Sequence, residues 1–245
     1  MKNLYLAIFT LAFVSLAQAD EAASTATAKA SEWDSNAELS LLLTSGNTDI
    51  RTFGLGLGTI YKPLPWVVSG KAGYLNSSNA GTTTAEAYTI DGRGERKLTD
   101  DLGLYVNLGF LKNVFAGFNE RYSGELGLSY SLLKAGAHTL STEAGLGVIN
   151  ESRTDLTKQT FMSARVGAEY KWKFSENADF TNTLSILDNL KTTSDWRLVN
   201  TSSITAVLTS ILSLKASFKV EYLNLPVTGK KKTDTTTSIA LVAKF

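Results

Sequence analysis

Read two residues at a time, the stretch LGLYVNLGFLK separates into two faces. Leu102, Leu104, Val106, Leu108 and Phe110 fall on one, and Gly103, Tyr105, Asn107, Gly109 and Leu111 on the other. RYSGELGLSY divides the same way, with Tyr122, Leu126, Leu128 and Tyr130 opposite Arg121, Ser123, Glu125 and Ser129. A period of two sustained this long means a β-strand whose faces meet different environments. Repeated from Trp33 onward, the reading predicts about twelve strands: 33–45, 50–62, 66–76, 85–98, 102–112, 120–132, 139–149, 158–174, 179–188, 196–208, 212–224 and 234–245. Most are far longer than the roughly 5–6 residues of a globular strand. They match the roughly 9–11 residues that a tilted strand needs to cross a bilayer.

Charge placement agrees with a membrane. Leu140, Thr142, Ala144, Leu146 and Val148 form a face free of ions, as do Met162, Ala164, Val166, Ala168 and Tyr170. The opposite faces carry ions in mid-strand. Alternation alone does not separate a membrane barrel from a soluble one, but the aromatics add a direction. Tyr61, Trp66, Tyr130, Trp172, Phe174 and Phe245 collect at one set of strand ends, and Phe53, Tyr74, Tyr88, Phe110, Tyr122 and Tyr222 at the other. Two aromatic girdles mark a transmembrane barrel. A sheet in lipid must satisfy every backbone group without water, so the last strand must pair with the first. The expected fold is all-β: a closed antiparallel transmembrane β-barrel over 33–245. The even strand number implies that both termini are periplasmic.

The ends fit export. MKNLYLAIFTLAFVSLAQAD has one lysine, an apolar run and Ala17-Gln18-Ala19, the pattern of a cleaved signal peptide over 1–19. Residues 20–32 read as a flexible lead-in. Removing the signal removes one lysine and leaves a formally neutral chain, which has no electrostatic case for nucleic acid. The expected location is the bacterial outer membrane of a Gram-negative envelope. Partners are outer-membrane lipid, lipopolysaccharide, the barrel-assembly machinery and, in the lumen, small solutes or ions.

Connections alternate. TSGNTD, SSNAGTTTA, NVFAGFN, NESRTDLT, NLKTTSDW and LPVTGKKKTD are mostly longer and polar, as expected of outer loops, while the others are mostly tight turns. TSGNTD, short for an outer loop, and LLKAGAH, long for a periplasmic turn, break the pattern. Strands 179–188 and 196–208 have no cleanly apolar face, which reads either as ordinary variation or as a thin or partner-covered wall.

Catalysis has little to stand on. The chain has no cysteine and one histidine, His138, which falls in a turn with no serine placed beside it. The usual zinc ligand set is missing, and no cofactor is expected. Asp49, Asp155, Asp188, Asp195 and Asp234 read as polar acids near the outer rim, open to cation or lipopolysaccharide contact. GLGLG, Gly54–Gly58, lacks the spacing of a phosphate loop and reads as a bare lumen face. GKKK, Gly229–Lys232, is a basic outer loop.

The lumen is the candidate functional surface. Twelve strands about 4.8 Å apart, tilted about 40°, enclose a backbone radius of roughly 12 Å. Expected lumen-facing charges are Glu38, Lys71, Asp91, Arg93, Glu95, Lys97, Arg121, Glu125, Glu143, Arg165, Glu169, Lys215, Lys219 and Glu221. Mixed signs can pair across the lumen and shut it, whereas a selective pore carries a ring or stripe of one sign. A small channel and a closed structural barrel both remain open.

The hairpin LSLLLTSGNTDIRTFGLGLG with its Gly46-Asn47-Thr48-Asp49 turn, EYLNLP (Glu221–Pro226), Thr233-Asp234 and the terminal Phe245 together carry a resemblance. The chain resembles the YdiY-like salt-induced outer membrane protein family, a domain of unknown function, from about Trp33 to Phe245. The resemblance implies an outer-membrane β-barrel, a setting of envelope or osmotic stress, and no catalytic residues to carry over. The last strand also resembles the signal read by the barrel-assembly machinery, with Phe245 as its terminal aromatic and Ala243 where that signal usually has another.

Overall fold

The computed structural model describes residues 32–44 and 50–245. The expected signal peptide, the lead-in through residue 31 and the Gly46–Asp49 turn lie outside the described residues. Twelve strands follow in order: β1 (Trp33–Thr44), β2 (Ile50–Tyr61), β3 (Trp66–Asn79), β4 (Thr82–Lys97), β5 (Leu102–Asn113), β6 (Phe118–Ala135), β7 (His138–Arg153), β8 (Lys158–Ser175), β9 (Ala178–Asn189), β10 (Arg197–Val207), β11 (Leu212–Leu223) and β12 (Thr233–Lys244). They form one closed antiparallel barrel. At the seam, Asn36–Ser40 of β1 pair with Lys244–Ala240 of β12. The last residue belongs to the wall: Phe245 N donates to Ser35 O at 3.0 Å, and Ser35 N donates to Phe245 O at 3.2 Å.

Strands are longer than the sequence predicts at two hairpins. SSNAGTTTA is almost wholly strand, and only Ala80 and Gly81 turn, with φ of 49° and 81°. That left-handed pair suits the twist of a two-residue hairpin. LLKAGAH likewise becomes strand around Gly136 and Ala137, so the turn expected to be long is tight. Polar side chains conceal such extensions, because the backbone ladder pairs without needing an apolar face. Connections at the rim bearing the termini are short. At the far rim, the long ones are 190–196 and 224–232.

The register is staggered. Glu38 pairs with Gly56, Gly56 with Gly73, Gly73 with Thr89, Thr89 with Leu111, Leu111 with Arg121, Arg121 with Glu151 and Glu151 with Gln159. A row that starts in mid-β1 therefore reaches the strand ends by β7 and β8. This offset is what strand tilt in a closed barrel requires. It also keeps the whole row on one face, the interior.

The outer face is apolar and bare: Ile90, Leu108 and Ile239 are 59%, 63% and 64% exposed. Tyr105, Ala240 and Val242, on the inner face, are buried. Such a belt would drive aggregation in water and is stable in hydrocarbon. Aromatics meet at its edges: Trp33 stacks on Tyr61 at 4.4 Å near the termini, and Tyr74 lies tilted against Tyr88 at 4.9 Å toward the far rim. The irregular β9–β10 wall has a local explanation. Asn182, Asn200 and Ser202 lie on the outward face but bond to one another, with Asn182 Nδ2 donating to Ser202 Oγ at 2.8 Å and to Asn200 Oδ1 at 3.3 Å.

Candidate functional site: the barrel interior

Interior charges fall into a middle chamber, a far-rim cluster and a sparse third region. In the middle, Arg165 of β8 holds Glu125 at 2.8 Å and Glu143 at 2.7 Å, and donates to Tyr105 Oη at 2.9 Å. Arg93 of β4 reaches Glu143 at 2.9 Å and Glu95 at 2.6 Å, and Lys97 holds Glu95 at 2.6 Å. Arg93 and Glu143 come from β4 and β7, which are not neighbours in the wall, so their contact crosses the interior. Tyr105 lies flat over β6 and β7 because Gly127 and Gly145 leave room for it. A Cβ on either would come within 2.5 or 2.7 Å of its hydroxyl. Tyr105 donates to Glu125, and Arg93 sits 4.0 Å above its ring.

The far-rim cluster centres on Glu151, whose side chain is fully buried. Its Oε1 accepts from Arg153 Nε at 2.7 Å, Gln159 Nε2 at 2.6 Å and Arg197 Nη2 at 3.0 Å. Its Oε2 accepts from Arg121 Nε and Arg197 Nη1, both at 2.9 Å. Asp195, 1% exposed, holds Arg153 and Arg197 at 3.0 Å each. The 224–232 connection crosses the mouth above. Val227 is buried against Gly117 of the β5–β6 turn, and the Leu225 carbonyl accepts from Arg153 Nη1 at 3.4 Å.

The third region lies along β11, β12 and β1 to β4. Glu38 pairs with Lys215 at 2.9 Å and Lys219 with Glu221 at 2.9 Å; outside this region, on β8, Glu169 pairs with Lys171 at 2.8 Å. Lys71 and Asp91 enter no direct ion pair among the described residues. They line a cavity of about 260 Å³ with Ser69, Asn107 and Glu143. A cavity of about 800 Å³ opens at the termini rim beside Glu38, Lys215 and Phe245, and one of about 460 Å³ opens at the far rim beside Lys219, Glu221 and Asp234.

The structure thus brings most of the expected lumen charges into pairs and leaves Lys71 and Asp91 apart from them. Sequence reasoning missed Tyr105, Glu151, Arg153 and Arg197. Carrying the odd-numbered face of β7 past Ile149 would have reached Glu151 and Arg153. Asp195 lies at the far rim as expected but is not open to cations or lipopolysaccharide: it is a buried partner of two arginines, because the 190–196 connection folds inward. The GLGLG glycines give room to side chains of the neighbouring strand β1, Ser40, Glu38 and Asn36. A Cβ at Gly58 would lie 2.6 Å from Asn36 Oδ1. His138 stacks on Trp172, and its Nδ1 is 2.8 Å from Tyr170 Oη. Asp155, in the β7–β8 connection, is held below the usual carboxylate range by the Thr157 amide, 3.0 Å away. Among the described residues no group of three or more metal-ligating side chains converges.

Comparison with known proteins agrees with this architecture. The family model described as "Protein of unknown function, DUF481" matches residues 37–245. The chain is 26% identical to "Uncharacterized protein YdiY" of Escherichia coli (strain K12) over 177 residues, 72% of this chain and 68% of that protein. Among solved structures, the NanC porin superposes with a TM-score of 0.52 at 10% identity, covering 86% of this chain and 97% of the porin. An outer membrane channel from Pseudomonas putida F1 gives 0.53 at 9% identity, covering 87% and 94%. The translocator domain of the autotransporter NalP from Neisseria meningitidis gives 0.50 at 13%, covering 89% and 90%. At these identities the likeness is one of fold, that of outer-membrane barrels.

Proposed function

This chain belongs to the family described as "Protein of unknown function, DUF481", and from that premise we propose that it is a non-enzymatic, porin-like barrel. In this reading it forms a narrow passage for ions or small solutes across the outer membrane, in a cell adjusting to salt or osmotic stress. The observation that carries the proposal is the uneven filling of the interior. Paired arginines and carboxylates reach across the middle and fill the far-rim end beside β6 to β8, while cavities recur along the interior from the termini rim through the middle to the far rim. Lys71 and Asp91, charged and outside any direct pair, stand at its middle and are the proposed constriction. In the same reading the signal peptide is cleaved, the termini face the periplasm, and Lys230–Lys232 face lipopolysaccharide.

Planar-bilayer recording of the refolded protein tests this. Small unitary steps are expected, with Asp91→Asn shifting selectivity toward anions and Lys71→Gln toward cations. A silent bilayer over repeated reconstitutions would refute the passage. The second reading, a closed barrel that supports envelope integrity, draws on the 224–232 connection across the far mouth. It predicts that silence, together with a leaky envelope on deletion.

A further inference from the structure

The far-rim cluster does not balance. Arg121, Arg153 and Arg197 face two carboxylates, Glu151 and Asp195. The middle chamber, by contrast, sets Arg93, Lys97 and Arg165 against Glu95, Glu125 and Glu143. One positive charge is therefore left over among largely buried side chains, a costly arrangement for an ion.

The surplus can be traced to one atom. A carboxylate offers about four lone-pair sites, and Glu151 already receives Arg121 Nε, Arg153 Nε, both Arg197 Nη atoms and Gln159 Nε2. Nothing remains for the rest of the Arg121 fork. Its Nη2 is buried and has no hydrogen-bond partner among the described residues. The ring of Phe118, 3.8 Å below the guanidinium, offsets part of the charge but offers no acceptor in the plane of the fork.

Arg121 also lines a cavity of about 280 Å³ inside the wall formed by β5 to β9, along with Asn107, Ser123, Ser163, Ser185 and the Glu125–Arg165 pair, in which Arg165 already neutralises the carboxylate at 2.8 Å. Hydroxyls, an amide and two guanidiniums, with one carboxylate that Arg165 already holds, surround a space large enough for a small anion together with water. Water in this space would leave the extra charge in place. From the orphaned nitrogen, the charge surplus and the donor-lined cavity together, we infer that the barrel contains a binding site for a small monovalent anion, held by Arg121 with Ser163 and Ser185 beside it. The site does not require an open lumen, so it stands or falls separately from the passage proposed above.

Bromide is the probe. The full chain, refolded in detergent micelles, is titrated into sodium bromide, and the excess ⁸¹Br line broadening is followed. Broadening that chloride competes away is expected. Arg121→Met, which leaves two arginines facing two carboxylates, should abolish it while the protein keeps its heat-modifiable gel mobility. Ser163→Ala/Ser185→Ala leaves every charge in place and should weaken apparent bromide affinity about tenfold, the worth of the lost hydrogen bonds. No excess broadening with the unsubstituted protein overturns the inference. So does folded Arg121→Met protein that broadens bromide as the parent does. Should Arg121→Met fail to fold, the double serine variant decides: unchanged affinity overturns the inference and weakened affinity supports it.

Discussion

Glu151→Gln is the substitution that should damage this barrel most for the smallest change in shape. The carboxylate is fully buried and accepts five N–H donors from Arg121, Arg153, Arg197 and Gln159. Glutamine fills the same volume, but its amide nitrogen would point a donor at arginine donors. Three guanidiniums would then share Asp195 alone. Removing one partner from a buried ionic group costs about 3–5 kcal/mol, or roughly two to four orders of magnitude in the folding equilibrium. With a urea dependence of about 1–3 kcal/mol/M, the unfolding midpoint should fall by about 1–5 M. Tryptophan fluorescence of protein refolded into lipid vesicles, checked against heat-modifiable gel mobility, reads this directly. Adding Arg121→Met should recover part of the loss, with a coupling of about 1–3 kcal/mol between the two changes. A Glu151→Gln loss below about 1 kcal/mol would refute the reasoning, since it would mean that water reaches the cluster and screens it.

Gly145→Val puts a Cβ 2.7 Å from both Tyr105 Oη and Glu125 Oε1. It should cost about 1–3 kcal/mol of stability by overpacking, measured by the same urea titration, whereas Gly92→Val, where a Cβ meets nothing within 4 Å, should cost less. Phe245→Ala should separate closure from assembly. The backbone of Phe245 makes the bonds to Ser35, and its side chain is 80% exposed. Refolding in vitro should therefore proceed nearly as before while outer-membrane insertion in cells falls. Normal insertion of that variant would remove Phe245 as an assembly signal.

Much of the architecture was legible because it depends on short-range order. A strand's two faces are set by alternate residues, so LGLYVNLGFLK announces its environment without help from the rest of the chain. Strand number, approximate boundaries, the apolar belt and the need for closure all follow from that period together with the chemistry of backbone groups in lipid. Even Phe245 could be read as wall rather than tail.

The arrangement of the interior was settled only by the tertiary structure. Alternation says that Arg121 and Arg165 face inward, but not that one meets Glu151 and the other Glu125 and Glu143. The stagger of the register decides those meetings. It carries the row from Glu38 in mid-β1 up to Gln159 at the start of β8, beside a connection that folds Asp195 inside. Gly127 and Gly145 matter only because Tyr105 lies across them from the neighbouring strand β5. Whether a charge is paired or left facing a cavity depends on residues far away in the chain, brought close by barrel closure. A local pattern cannot encode that distance, and for this reason the fold was readable in one dimension and the site was not.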